Sequence, residues 1–144
     1  MSVADPHVAI RRYVEALEGA SPETLDALLG LCDARIEFRD PFNHSTSKDQ
    51  FEAILRHMFS QVAELKFVVH DVQGSGRDWF LKWTFTGHVS VIGAVEIEGI
   101  SEVALNDEGK VHRHIDYWDA TSTILFRIPL LGRLIWLLTK PMRP

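Results

Sequence analysis

Residues 65–118 have the sequence LKFVVHDVQGSGRDWFLKWTFTGHVSVIGAVEIEGISEVALNDEGKVHRHIDYW. Runs rich in β-branched and aromatic residues, several of them alternating with polar ones, predict strands, and segments rich in glycine, asparagine and serine separate four such runs. The predicted strands are residues 65–73, 79–88, 95–105 and 110–118. Short connections between consecutive strands are typical of an antiparallel sheet.

Helical patterns precede these strands. Apolar residues recur at helical spacing in residues 7–18, and Ser21 with Pro22 begins a shorter second helix. Residues 34–41 alternate as a strand that Pro41 ends, and a capping box of Ser47 and Gln50 begins a third helix over residues 48–62. Helices gathered before the sheet predict an α+β fold rather than alternating βαβ units.

Bulk composition limits the class of protein. A chain of 144 residues with 46% hydrophobic content is sufficient for one domain with one core. The net charge of −5 gives no global field suited to phosphate backbones, so no nucleic-acid partner is expected. Cys32 is the only cysteine, and the first residues lack the pattern of a secretion signal, so a cytoplasmic location is expected.

The C-terminal tail, residues 122–144, is strongly apolar up to Lys140. Its longest uninterrupted apolar run is far shorter than the ~20 residues of a membrane-spanning helix, so no transmembrane segment is expected. We expect a domain over residues 1–121 with residues 122–144 as its helical extension. The tail could pack over the open end of the sheet, be buried in a homodimer, or lie on a membrane surface through its basic residues, which are Arg127, Arg133, Lys140 and Arg143.

Polar residues at inward positions are the candidates for function. Strand parity turns Ile36 and Phe38 inward and predicts that Asp40 follows them, although an aspartate before Pro41 could instead bind the amides of a turn. Parity likewise places Ser101 in the inner row of residues 95–105. Tyr13 lies on the apolar stripe of the first helix, so its hydroxyl needs a partner.

The last predicted strand carries His114, Asp116 and Trp118 on one face. A histidine and an aspartate two residues apart on a strand face can share a proton or a water molecule. His112 could join them around a metal ion, but no motif supplies a fourth ligand, and no metal site or other cofactor is expected. Aromatic side chains would form either core or the walls of a pocket, among them Phe38, Phe59, Trp83 and Trp118.

The element order, with Asp-Pro-Phe at residues 40–42 and Gly-Lys-Val before a strand that ends in Tyr117 and Trp118, resembles the nuclear transport factor 2-like superfamily up to about Asp119. The resemblance implies a cone-shaped, mixed or antiparallel curved sheet wrapped by three N-terminal helices around an apolar pocket. Its expected partners are a small apolar ligand or substrate and a second copy of the chain.

Two branches of the superfamily match particular residues. Residues 12–15 and 37–42 resemble the ketosteroid isomerase segments that carry the oxyanion-hole tyrosine and the general-base aspartate, which fall on Tyr13 and Asp40. The second oxyanion donor of that branch, an acid, falls on Ser101. In the SnoaL-like polyketide cyclases an acidic residue on a late strand transfers the proton, and Asp116 with His114 resembles that arrangement.

The sequence therefore predicts proton transfer, as in an isomerase or a cyclase, on a small apolar carbonyl compound without a cofactor. The predicted catalytic residues are Asp40, Tyr13, Asp116 and His114. The predicted substrate-binding residues are Ser101, Trp118, Phe38, Phe59 and Trp83. The alternative is a non-catalytic domain that binds a small apolar ligand or a protein partner.

Overall fold

The computed structural model describes residues 4–144. The N-terminal half contains α1 (Pro6–Glu18), α2 (Leu25–Leu29), β1 (Cys32–Arg39), β2 (His44–Ser45) and α3 (Lys48–Gln61). The sheet continues with β3 (Val62–Ser75), β4 (Asp78–Val89), β5 (Gly93–Leu105) and β6 (Val111–Trp118). The tail contains α4 (Ala120–Thr123), α5 (Leu131–Leu138) and two 3₁₀ turns, Leu125–Arg127 and Lys140–Met142. The predicted α+β class is confirmed.

Local capping sets where two of the helices begin. Asp5 accepts a hydrogen bond from the backbone N–H of His7 at the start of α1, where Pro6 occupies the first turn. Ser47 accepts one from the backbone N–H of Gln50 at the start of α3, as its capping box predicts. These bonds satisfy N–H groups that a helix start otherwise leaves without a partner.

The six strands form one sheet in the order β2-β1-β6-β5-β4-β3. Neighbours from β3 to β6 are antiparallel, whereas β1 pairs with β6 in parallel. Register shifts interrupt β3, β1 and the β5–β6 pair, and such irregularities bend a sheet. The parallel pairing brings the N-terminal strand beside the last one, where Phe38 is in register with His114.

One face of the curled sheet packs against the helices. α1 contacts β3, while α3 contacts both β1 and β3. Glu18 at the end of α1 also accepts a hydrogen bond from the backbone N–H of Val69 on β3. The inward rows predicted for β1 and β5 are confirmed, because Ile36, Phe38, Val95, Ile97, Ser101, Val103 and Leu105 are buried.

The tail begins against the end of the sheet. Ile124 packs on the core, and Arg127 donates hydrogen bonds to the carbonyl oxygens of Ile92 and Ala94 near the β4–β5 turn. A Cβ on Gly132 would lie 2.1 Å from the carbonyl oxygen of Phe126, so glycine lets α5 pack on the 3₁₀ turn before it. The outer side of α5 remains exposed. No helix within residues 4–144 is long and apolar enough to cross a bilayer.

We expect the stability of the fold to fall above pH 9 because of Cys32. Burial raises the pKa of this thiol to about 12, from 9.0 in its ordinary state. Below pH 9 the folded and unfolded chains both keep the proton. Between pH 9 and 12 only the unfolded chain loses it, so the free energy of unfolding should fall by up to about 1.4 kcal/mol per pH unit.

Urea unfolding at a series of pH values from 8 to 11 measures this slope. Cys32→Ala should make the slope shallower, while the part due to Tyr13, whose pKa burial also raises, should remain. An equal slope in the variant and the parent protein would contradict the prediction.

Candidate active site

A cavity of about 540 Å³ lies between the inner face of the sheet and α3. This volume suits a small organic ligand. Aromatic and aliphatic side chains from α3 and from five strands make up most of its wall. The polar residues among those that line it are Asp40, Asn43, His57, His114 and Asp116.

A hydrogen-bonded network centres on Asp116. Its Oδ1 accepts from Ser101 Oγ at 2.5 Å and from His114 Nε2 at 2.7 Å. Trp83 Nε1 in turn donates to Ser101 Oγ at 2.8 Å, and the Tyr13 hydroxyl lies 2.7 Å from His114 Nδ1. Five side chains from three strands and one helix are thereby joined.

Strand register places most of these side chains side by side. Ser101 on β5 is directly opposite Asp116 on β6, and Trp83 on β4 is opposite Gly99. A Cβ on Gly99 would lie 2.4 Å from the ring of Trp83, so glycine gives the indole room to reach Ser101. Tyr13 comes from α1 and is 101 residues away from His114 along the chain.

Burial determines where the protons of the network lie. The pKa of Tyr13 is well above its ordinary value, chiefly because the side chain is fully buried and further because ionised forms of Cys32 and Asp116 would repel its phenolate. Tyr13 therefore keeps its proton, and its hydroxyl donates a hydrogen bond to Nδ1 of His114. With Nδ1 as the acceptor from Tyr13, Nε2 of His114 is the donor to Asp116.

Asp116 has one carboxylate oxygen available to a guest. Both of its hydrogen bonds end on Oδ1, so Oδ2 has no partner within residues 4–144. The side chain is 19% exposed and lines the cavity, whereas that of His114 is 5% exposed. A carboxylate that lines an apolar cavity, with one oxygen held and the other without a partner, can accept and return a proton.

Asp40 lies in a turn and not on the strand from which parity predicts its direction. β1 ends at Arg39, and Asp40 begins a turn in which its Oδ1 accepts from the backbone N–H groups of Phe42 and Asn43 at 2.8 and 2.7 Å. The Asn43 side-chain amide also contacts both carboxylate oxygens. The expectation that the strand carries Asp40 inward is thus corrected: Asp40 lines the cavity as a turn residue.

The other predicted site residues fall into two groups. Phe38, Phe59, Trp83 and Trp118 line the cavity. Tyr13 and Ser101 are fully buried and are absent from the cavity lining over residues 4–144, and they contact the His114–Asp116 pair instead. Direct contact of Tyr13 and Ser101 with a substrate stays a prediction.

Two polar lining residues, His57 and Asn43, were not predicted from the sequence. His57 is three residues after Ile54, which also lines the cavity, so the helical period of α3 contained the signal. Asn43 lies in the turn after β1, where no periodic pattern predicts direction. His112 is exposed, and no group of three His, Cys, Asp or Glu suited to a metal ion occurs in the described part of the chain.

Tyr13→Phe tests the network through stability. The change should lower the free energy of unfolding by about 1–3 kcal/mol, because the buried His114 Nδ1 would lose its donor. Tyr117→Phe is the matched control, since the Tyr117 hydroxyl makes only an exposed 3.3 Å contact with Glu102 and its loss should cost less than about 0.5 kcal/mol. Urea unfolding of both variants measures the difference, and equal costs would contradict the network.

Comparison with known proteins gives one family and many structures. The model of the SnoaL-like domain matches residues 10–114. No curated protein matches the sequence. An LEH-like epoxide hydrolase from M. tuberculosis superimposes with a TM-score of 0.67 at 17% identity, covering 95% of this chain and 97% of that one.

Two further solved structures are similar. A candidate SnoaL-like polyketide cyclase from Shewanella putrefaciens CN-32 has a TM-score of 0.66 at 16% identity and covers 82% of this chain and 92% of its own. A hypothetical protein with a ketosteroid isomerase-like fold from Catenulispora acidiphila DSM 44928, in complex with trimethylamine, has a TM-score of 0.70 at 13% identity, with coverages of 84% and 93%. At these identities the likeness concerns the fold.

Proposed function

This chain belongs to the SnoaL-like domain family, within the nuclear transport factor 2-like superfamily that its motifs resemble, and on that basis we propose that it transfers protons on a small apolar carbonyl compound. The observation that supports this function is Asp116, a residue of the largely apolar cavity wall, with its Oδ1 held by His114 and Ser101 and its Oδ2 without a hydrogen-bond partner in the described part of the chain. Such chemistry needs an acid and a base but no cofactor.

The proposed reaction begins when a guest carbonyl compound fills the cavity. Oδ2 of Asp116 takes a proton from the carbon next to the carbonyl. The C–H electron pair forms a C=C bond to the carbonyl carbon, and the π pair of the carbonyl moves to its oxygen, which gives an enolate. In an isomerase, Asp116 returns the proton to another carbon. In a cyclase, the enolate carbon attacks a second carbonyl, and Asp116 protonates the alkoxide that forms.

The other predicted residues take supporting roles in this proposal. His114 and Ser101 stabilise the ionised Asp116 through its Oδ1, and Tyr13 orients the His114 ring. The apolar part of the guest packs against the aromatic side chains of the cavity wall, which are Phe38, Phe59, Trp83 and Trp118. Asp40 shapes the cavity rim through its turn.

Deuterium exchange tests this function with model substrates in place of the natural one. A panel of cyclic ketones incubated with the protein in D₂O should contain at least one member that gains deuterium next to the carbonyl, as NMR measures. Cyclic epoxides belong in the same panel, because one structural neighbour is an epoxide hydrolase. If no compound exchanges or reacts, the enzymatic proposal fails.

The second candidate function is binding without catalysis. The hydrogen bonds around Asp116 satisfy buried polar groups, which is also what a purely structural polar cluster in a core does. The cavity wall is largely apolar, as a binding site for an apolar ligand requires. One neighbour is in complex with a small amine. Tight binding of an apolar ligand in a thermal-shift assay, together with no turnover across the panel, would favour this function.

We further propose a homodimer formed by the outer face of the sheet. Phe80, Ile100 and Tyr117 lie on neighbouring strands, face away from the cavity and are about half exposed. Aromatic and aliphatic side chains of this kind are enriched at protein interfaces. Sedimentation velocity should show a dimer that Ile100→Glu converts to a monomer.

We also propose that residues 1–121 form the domain and that residues 122–144 form its extension.

A further inference from the structure

The outer side of α5 is an exposed apolar stripe. Leu130, Leu134, Leu137 and Leu138 have 82%, 51%, 54% and 70% of their surface exposed. Helical spacing places Leu134, Leu137 and Leu138 on one face of α5, and Leu130 directly precedes the helix. Trp136 is also 51% exposed, but helical spacing places it on the side of α5 that carries Gly132, away from the leucines. Single exposed apolar residues are common, but a contiguous row of leucines is typical of a surface that contacts something apolar.

Charge is distributed unevenly between this tail and the rest of the chain. Residues 120–144 contain four of the 15 basic residues and none of the 20 acidic ones. Arg133 and Lys140 are exposed, and both lie along α5 or just beyond it. The tail is therefore positive, whereas the remainder has a large excess of negative charge.

We propose that α5 lies in the plane of an anionic lipid bilayer surface, with the leucine stripe inserted among the acyl chains and Arg133 and Lys140 at the headgroups. Amphipathic helices with this division of apolar and basic residues bind in the interface plane.

Charge also favours a bilayer over a second copy of the chain at this surface. A two-fold contact through α5 would place the same patch on both subunits and bring their cations together. An anionic bilayer complements these cations and repels the acidic remainder of the protein, so one orientation results.

The attachment of the tail presents α5 in a defined position. The two hydrogen bonds from Arg127 tie the tail to the β4–β5 turn, and Gly132 allows close packing of α5 on the 3₁₀ turn. Ile124, at the start of the tail, lines the cavity. A bilayer bound by α5 would thus lie on the side of the molecule where the tail leaves the cavity wall.

Sedimentation with large unilamellar vesicles tests the proposal on the full chain. We expect binding to vesicles of phosphatidylcholine with 30% phosphatidylglycerol, weaker binding as salt rises, and little binding to phosphatidylcholine alone. Lipids brominated in the acyl chain should quench tryptophan fluorescence more strongly in Leu137→Trp, which adds an indole to the leucine stripe, than in the parent protein. Equal binding to both vesicle types, or none to either, would overturn the proposal.

Charge variants separate a local effect from a change of net charge. The double variant Arg133→Gln and Lys140→Gln should weaken vesicle binding about 30-fold. Arg11→Gln with Arg12→Gln changes the net charge equally at exposed positions on α1 and should leave binding nearly unchanged. Equal losses in the two double variants would overturn the assignment to α5.

Apolar variants separate the bilayer from a protein partner. Leu134→Asp with Leu137→Asp should abolish vesicle binding while circular dichroism and the oligomeric state stay unchanged, because both side chains are exposed. If these changes instead convert a dimer to a monomer, the stripe is a contact between copies of the chain and the proposal is overturned.

Discussion

Asp116→Asn should lower turnover by about 10²–10⁴-fold, the usual contribution of a general acid or base. The asparagine side chain has nearly the same shape, and its carbonyl oxygen can still accept hydrogen bonds from His114 Nε2 and Ser101 Oγ. The network should therefore keep its geometry. Loss of the negative charge removes the ability to accept a proton, so the rate of deuterium exchange should fall while ligand affinity changes little.

Asp40→Asn provides the matched control for this change. Asp40 also lines the cavity, but its Oδ1 is held by two backbone N–H groups of its turn. An asparagine can accept the same bonds, so turnover should stay within about tenfold of the parent protein. If instead Asp40→Asn abolishes exchange and Asp116→Asn does not, the base is at the cavity rim and the assignment of the two carboxylates is reversed.

Trp83→Ala should destabilise the protein by about 3–5 kcal/mol, the usual cost of truncating a buried aromatic residue. The Trp83 ring is 4% exposed, packs 5.2 Å from Phe67 between ring centroids, and covers Gly99. Truncation also removes the donor to Ser101 Oγ and enlarges the cavity. We therefore expect a loss of stability in urea unfolding and a shift of ligand preference towards larger apolar guests.

Trp79→Ala separates these two effects. Trp79 is on the same strand and is equally buried at 4% exposure, but its Nε1 donates to the carbonyl oxygen of Gly76, and the ring is outside the cavity lining over residues 4–144. Its loss should cost similar stability without changing ligand preference. A similar change of preference in both variants would show that the effect comes from general loosening of the fold.

Local periodicity predicted where the elements are. The first helix, predicted over residues 7–18, is Pro6–Glu18, and the third, predicted over 48–62, is Lys48–Gln61. The four predicted strands all occur, with ends that differ by up to three residues. The two-residue strand β2 and the division of the tail into short pieces were missed, because segments this short contain too few residues to show a period.

The sequence predicted which residues belong to the candidate site better than it predicted the contacts between them. Parity placed Ser101 inward, but its bond to Asp116 depends on the register between β5 and β6. Tyr13 was expected to need a partner, but His114 is 101 residues away along the chain. Asp40 lines the cavity from a turn whose amides bind its carboxylate, which was the alternative to strand parity for an aspartate before Pro41.

Sequence alone determined the order of the longer helices and strands and the inward rows of β1 and β5, because these depend on the alternation of neighbouring residues. Tertiary structure decided which polar groups meet: the parallel β1–β6 pair, the β5–β6 register and the packing of α1 bring Tyr13, His114, Asp116 and Ser101 together. It also left the leucines of α5 exposed. The physical reason is that contacts between distant residues depend on the packing of whole elements, which no local pattern encodes.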